Sequence, residues 1–293
     1  MRLKIDSLNK IYGKDKAALT DFSLEIGPGI LGLLGPNGAG KSTLMKVIST
    51  ISKPSSGRLL LDDVDLIANP DHIRKLIGYL PQDFGVYDNL NAIEFLRYIA
   101  ALKGIDQTGL DERIDFFLDA FNLSSVAKKA IGNYSGGMKQ RIGIAQALLN
   151  DPKIIVMDEP TVGLDPEERV NFRQLIADLS GERIVILSSH IVSDIESIAD
   201  RVAIMKNGRL LTVGDQSEIV RLVGDKIAEA SVPKSIIEQI KQDYILIDST
   251  RGRDNWNIRF ILNGHQPGFP FDYAKATLED AYLFLTKAKK HVA

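Results

Sequence analysis

Eight consecutive residues, Gly35-Pro36-Asn37-Gly38-Ala39-Gly40-Lys41-Ser42, fit the pattern G-x-x-x-x-G-K-[ST], in which each residue type has a task in holding phosphate. Glycines let the backbone fold around an anion with successive N–H groups turned inward, and the start of a following helix adds partial positive charge. Lys41 would supply a full charge to the β- and γ-phosphates of ATP, and Ser42 a hydroxyl where Mg²⁺ bridges them. Thr43 closes the nucleotide-binding stretch, its side chain expected to pack or to cap the helix. A second anion site is encoded in Ser135-Gly136-Gly137, which opens a helix with Ile142, Ile144, Ala145, Leu148 and Leu149 on its buried face. One chain hardly needs two cradles so far apart for one nucleotide, so the second is expected to serve the ATP of a neighbour.

Other groups that could act on a bound phosphate stand at the ends of apolar runs. Asp158 and Glu159 follow Ile154 to Met157, and His190 follows Ile184 to Leu187 and two serines. Such runs deliver their last residues to the carboxyl edge of a parallel sheet, where ligands bind. From there His190 can donate a hydrogen bond to the γ-phosphate. Gln82 follows Tyr79-Leu80-Pro81, where an amide can reach both a metal and an attacking water.

These side chains need strands and helices to hold them. Short apolar runs at Ile30 to Leu34, Ile154 to Met157, Ile184 to Ser188 and Val202 to Met205, separated by helix-like segments, predict an α/β fold with a largely parallel sheet. After Leu164, the trio Asp165, Pro166 and Glu168 spells a capped helix start, with the helix running to about Leu179. Asn207-Gly208 reads as a tight hairpin, and a break follows near Gly224. Between Asp83 and Tyr134 the sequence turns aromatic and helical, at Asn91 to Leu102 and Leu110 to Phe121, as an inserted subdomain would. Most of its aromatics should pack its own core, while Phe84, Val86 and Tyr87 in one loop suit a docking surface. Beyond Gly224, Tyr244 to Asp248 and Trp256 to Leu262 read as strands and Thr277 to Asp280 as a helix start.

Composition narrows the function classes. The 293 residues carry a net charge of -2, which argues against a generally basic surface and hence against nucleic acid as partner. The sequence has no cysteine, which removes thiol nucleophiles, thiolate metal sites and disulfides. No apolar segment approaches the roughly 20 residues that cross a bilayer, and the first residues alternate in polarity unlike a secretory signal. A cytoplasmic chain is expected, with any membrane role coming through a partner.

The phosphate loop, Tyr134-Ser135-Gly136-Gly137-Met138-Lys139-Gln140-Arg141 and Ile154-Ile155-Val156-Met157-Asp158-Glu159, in this order, resemble the ATP-binding cassette (ABC) family over about residues 1 to 220. The resemblance implies an α/β phosphate-loop NTPase core of ABC type with an N-terminal antiparallel β subdomain, an inserted helical subdomain at about 83–134 and a small C-terminal α/β accessory unit. On this reading 1–224 form the ATP-binding domain and 225–293 the accessory domain. It also implies that Asp158 holds Mg²⁺ through water, that Glu159 is the catalytic base, that Gln82 lies in a loop sensing nucleotide, that Tyr12 stacks on adenine and that Asp165 touches an opposite cassette. Tyr134 stands where the family typically has leucine, and Met138-Lys139 where it has glutamines, changes that look like those of exporter-type cassettes. Exporters often end in a segment similar to Ala276 to Leu283.

The expected function is therefore the ATPase of an ABC transporter. Two cassettes would close head to tail over two ATP molecules, at the cytoplasmic face of the membrane, on a separate integral membrane permease, with export as the direction. A soluble ABC ATPase acting on ribosomes or DNA shares the nucleotide chemistry, but its usual second cassette, long coiled coil or zinc-binding insert is not in this sequence. A regulatory cassette that turns ATP over poorly is disfavoured by Glu159.

Overall fold

The computed structural model describes residues 1–253 and 255–287. At the N-terminus, alternating polarity makes half-buried strands. β1 (Leu3–Tyr12) buries Leu3, Ile5 and Leu8 and pairs antiparallel with β2 (Lys16–Ile26). β3 (Gly29–Leu34) is almost wholly buried and runs into the phosphate loop, after which α1 (Lys41–Ile48) begins. With β4 (Ser56–Leu61) and the short β5 (Val64–Asp65), the first strands form an antiparallel sheet in the order β2-β1-β4-β5, the β subdomain that the resemblance implied.

After α2 (Pro70–Arg74), β6 (Ile77–Leu80) leads to the helical insert. Asn91 and Glu94 form a capping box at the start of α3 (Ala92–Lys103), and α4 (Leu110–Ala120) follows. Phe95, Phe117, Phe121 and Tyr134 are buried here, whereas Tyr87, Tyr98 and Phe116 are exposed. The insert thus spends half of its aromatics on a core and leaves others on its surface.

α5 (Gly136–Leu148), β7 (Ile154–Asp158), α6 (Pro166–Ser180), β8 (Ile184–Ser189) and α7 (Val192–Glu196) complete this part. Every residue of β7 and β8 is buried, as in strands covered on both faces. β3, β8, β7 and β6 lie parallel in that order. Leu34 pairs with Ser189, Asp158 with Ser188 and Met157 with Leu80, so the carboxyl ends share one edge. α6 starts as its sequence dictates: Asp165 and Glu168 cap each other's backbone N–H and Pro166 fills the first turn.

β9 (Arg201–Lys206) and β10 (Arg209–Gly214) join at Asn207 and Gly208, both at positive φ (50° and 76°), as a tight hairpin requires. Packing divides the chain within this hairpin: Met1–Asp200 with Met205–Leu210 form one unit, and Arg201–Ile204 with the residues from Leu211 onward the other. No helix among the described residues is long and apolar enough to cross a membrane.

The second unit contains α8 (Gln216–Arg221), β11 (Ile227–Val232), α9 (Ile237–Asp243), β12 (Ile245–Arg251), β13 (Trp256–Ile261), β14 (Asp272–Tyr273) and α10 (Leu278–Lys287). Its strands form an antiparallel sheet, β12-β13-β11-β14, over a core of Ala228, Val232, Ile240, Ile258 and Phe260. The mixture is therefore of the α+β kind. α10 opens at Thr277, whose hydroxyl accepts from the N–H of Asp280, while the Asp280 carboxylate accepts from the N–H of Thr277. That carboxylate, 1 % exposed, also takes two hydrogen bonds from Arg259, which in addition pairs with Glu229 and donates to Lys275 O. Burial alone would raise the Asp280 pKa, but the bonds from Arg259 and Thr277 hold it below the usual carboxylate range. Its contribution to stability is then present at neutral pH and fades as acid protonates it. Asp280→Ala removes the acceptor of the Thr277 N–H and leaves Arg259 with Glu229 and Lys275 O alone, and is expected to destabilise the second unit by about 2 kcal/mol, read as a lower urea midpoint of Trp256 fluorescence, the chain's only tryptophan.

Candidate functional site

The phosphate loop is shaped by close contacts that only glycine permits. Gly40 has φ 103°, and a Cβ there would stand 2.5 Å from Ala18 O; one on Gly35 would stand 2.7 Å from Met205 O. α1 begins directly after Gly40 with no side-chain cap and no acidic residue in its first turn. Its leading N–H groups are thus left for an anion, whereas α3 and α6 spend theirs on their own capping boxes. Lys41 is buried, donates to Gly35 O at 2.5 Å, and lies 4.0 Å from Glu159 Oε1. Burial lowers its pKa, against the opposing pull of Glu159 and Asp158.

Asp158 and Glu159 sit side by side at the strand edge but face different partners. Asp158 Oδ1 accepts from Ser188 Oγ at 2.5 Å, while Oδ2 is buried with no protein partner. The same Ser188 hydroxyl accepts from the N–H of Glu159 at 2.9 Å. Sequence reasoning missed Ser188; the signal was a serine ending an apolar strand in register with Asp158. Glu159 is 6 % exposed and held at φ 53°, a left-handed backbone that is strained for glutamate. Its Oε2 is 2.7 Å from His190 Nδ1 and within reach of the His190 N–H. His190 therefore meets Glu159 through Nδ1 and keeps Nε2 for another partner. Tyr79, on β6, has a buried hydroxyl without a protein partner; burial and then the Asp158 charge push its pKa up to about 12.

The other expected residues are placed as follows. Gln82 lies two residues past the end of β6, at the edge that carries Asp158, but is exposed and has no hydrogen bond to either carboxylate among the described residues. Ser42 and Thr43 occupy the first turn of α1 and are half-buried. Tyr12 ends β1, 39 % exposed, with Lys10 Nζ over its ring at 4.9 Å. Ser135 caps α5, its Oγ accepting from Met138 N–H at 3.2 Å, and is exposed. Gly137 lies against Gly163, where a Cβ would meet the carbonyl oxygen at 2.7 Å, and Gln140 donates to Pro160 O. The Ser135 helix start is thus braced on the segment after Glu159, yet no hydrogen bond joins Ser135, Gly136 or Gly137 to the chain's own phosphate loop among the described residues. Tyr134 is buried and its hydroxyl donates to Val126 O, so the departure from leucine is accommodated with its polar atom satisfied.

Residues 19–162 match the protein family described as ABC transporter. The chain is 36 % identical to the ABC transporter ATP-binding protein YxlF of Bacillus subtilis over 235 residues, 80 % of this chain and 78 % of that one. The chain belongs to the ABC transporter family. Another relative, the doxorubicin resistance ATP-binding protein DrrA of Mycobacterium tuberculosis, is 32 % identical over 80 % of this chain and 72 % of its own length. Among solved ABC cassettes, the dimeric MJ0796 in a post-hydrolysis state, bound to ADP and phosphate, superimposes with a TM-score of 0.67 at 25 % identity, covering 73 % of this chain and 98 % of that one. As an ATP-binding subunit of the ABC family, this protein is an ATPase.

Proposed function

We propose that two copies of this chain close head to tail on MgATP, hydrolyse it and thereby drive a separate membrane permease in the export direction. One observation carries the reading: Lys41, Asp158, Glu159 and His190 converge at one sheet edge, while the capped and exposed Ser135 helix start has no bond to its own phosphate loop. A site so divided is completed by the Ser135, Gly136 and Gly137 of a second copy. The dimeric state of MJ0796 supports the same arrangement.

In this reading the loop from Gly35 to Ser42 holds the phosphates, and the exposed Tyr12 stacks on adenine. The residues that would hold Mg²⁺ are Ser42, Gln82 and, through water, Asp158. The orphaned Asp158 Oδ2 fits this task, since an oxygen without a protein partner is what an aqua ion needs. The ion supplies neutralisation of charge on the phosphates. Glu159 takes the proton of the attacking water, and His190, its Nδ1–H held by Glu159, donates from Nε2 to the γ-phosphate as the imidazolium. Closure then moves the insert after Gln82, whose exposed Tyr87 and Tyr98, packed edge to face, offer an aromatic surface to the permease.

The ATP-binding domain is read as residues 1–224 and the accessory domain, for regulation or dimer support, as 225–293, although packing draws the line earlier, within the β9–β10 hairpin. Export is supported by DrrA, a resistance protein by name, and by the exporter-like Tyr134 and Met138-Lys139. Work at the cytoplasmic face of the membrane follows from the permease partner. Co-expressed with the multispanning product of a neighbouring gene, the tagged chain is expected to copurify with it in detergent as an active ATPase; recovery with ribosomes or DNA instead would overturn the transporter reading.

A further inference from the structure

The parallel register fixes which side chains share a face of the central sheet. Tyr79 of β6 pairs with Val156 of β7, and residues two apart on a strand point the same way. Asp158 therefore lies on the Tyr79 face, one strand over and two residues nearer the edge. Gly78 faces oppositely, since a Cβ there would collide with Ala147 O of α5 at 2.0 Å. Tyr79 thus points away from α5, toward the side on which Lys41 feels the charges of Glu159 and Asp158.

Tyr79 Oη and Asp158 Oδ2, both carried on that face, are buried without a protein partner, as is Ser49 Oγ at the end of α1. The first two are near enough for the Asp158 charge to act on the phenol, yet they do not hydrogen-bond to each other. Buried polar atoms left alone are costly, and two carried on one face of neighbouring strands are joined most simply through a shared water. A water on a metal ion has its lone pair engaged and two protons to give. Asp158 Oδ2 is suited to take one of them and Tyr79 Oη the other.

We propose that Tyr79 is a positioning residue for Mg²⁺, its hydroxyl and Asp158 Oδ2 together orienting one water of the ion's shell. This rests on the MgATP reading given above, and assigns to Tyr79 a task that the loop residues and Gln82 leave open. Removing the oxygen should weaken the ion and not the nucleotide, because the phosphate cradle is untouched.

The test uses Tyr79→Phe in the full chain with N-methylanthraniloyl-ATP as fluorescent probe, titrated first in EDTA and then with Mg²⁺ at fixed nucleotide. Probe affinity in EDTA is expected to stay at the wild-type value, while the Mg²⁺ concentration giving half of the fluorescence change rises about 5- to 10-fold. A Mg²⁺ curve that superimposes on wild type would overturn the proposal. So would an equal loss of affinity with and without the metal, the mark of a merely structural tyrosine. Wild-type chain that bound the probe without any response to Mg²⁺ would instead overturn the MgATP reading itself.

Discussion

Glu159→Gln is expected to cut ATP hydrolysis by at least about a hundredfold while leaving ATP binding intact, because removal of a positioned general base costs 10² to 10⁴ in rate. Glu159 is buried, carried on a left-handed backbone, and its two oxygens are divided between Lys41 and His190. Glutamine keeps the size of the side chain and an oxygen for His190, and loses the basicity that draws a proton from water. With ATP bound, the phosphates supply the negative charge that Lys41 loses, so the cradle survives the change. Phosphate release measures the first effect. Size-exclusion chromatography in ATP measures the second, where the variant should run as a stable dimer because the step that reopens it is blocked. Hydrolysis at the wild-type rate would remove Glu159 from the role of base.

What the sequence made legible was whatever is local. The Asp165 and Glu168 box and the Asn207-Gly208 turn each complete their hydrogen bonds or their backbone geometry within a few residues, and both are present as read; the phosphate loop lies between strand and helix as read, but its glycines answer to Ala18 O and Met205 O, far away in sequence. The Thr277 start was equally plain, but the reason for Asp280 was not, because Arg259 stands on another element and comes to it only when β13 is paired in its sheet. Ser188 was hidden for the same reason: its bond to Asp158 depends on the register of two strands separated by α6. β11 escaped notice because Glu229 and Ser231 break its apolar run, yet it is a central strand with partners on both sides. Tyr79 read only as a strand residue before Gln82; its significance needs a face, and faces are assigned by pairing. Local chemistry thus named the candidate residues, and long-range register decided which of them meet.

Ser135→Ala is the change that separates one-chain from two-chain chemistry. Ser135 caps its own helix through Met138 N–H, so the substitution carries a stability cost of about 1 kcal/mol that has nothing to do with nucleotide. Its larger effect follows from where the hydroxyl is presented: exposed, at an N-terminus flanked by Gly136 and Gly137, and unbonded to the chain's own Lys41 loop. A charge-assisted hydrogen bond from such a hydroxyl to a phosphate oxygen is worth about 1.5 to 3 kcal/mol, so hydrolysis at the assembled site should fall about 10- to 100-fold. ATP affinity of the dilute monomer should not change, because the monomer's cradle does not include Ser135. In dimers mixed from wild-type and altered chains, one phosphate loop still meets an intact Ser135 and the other does not, and activity should lie between those of the two pure dimers. Loss of ATP binding by the monomer would show that Ser135 serves its own chain's nucleotide. The second cradle would then belong to the same site as the first, and the case for a motor assembled from two copies would fall with it.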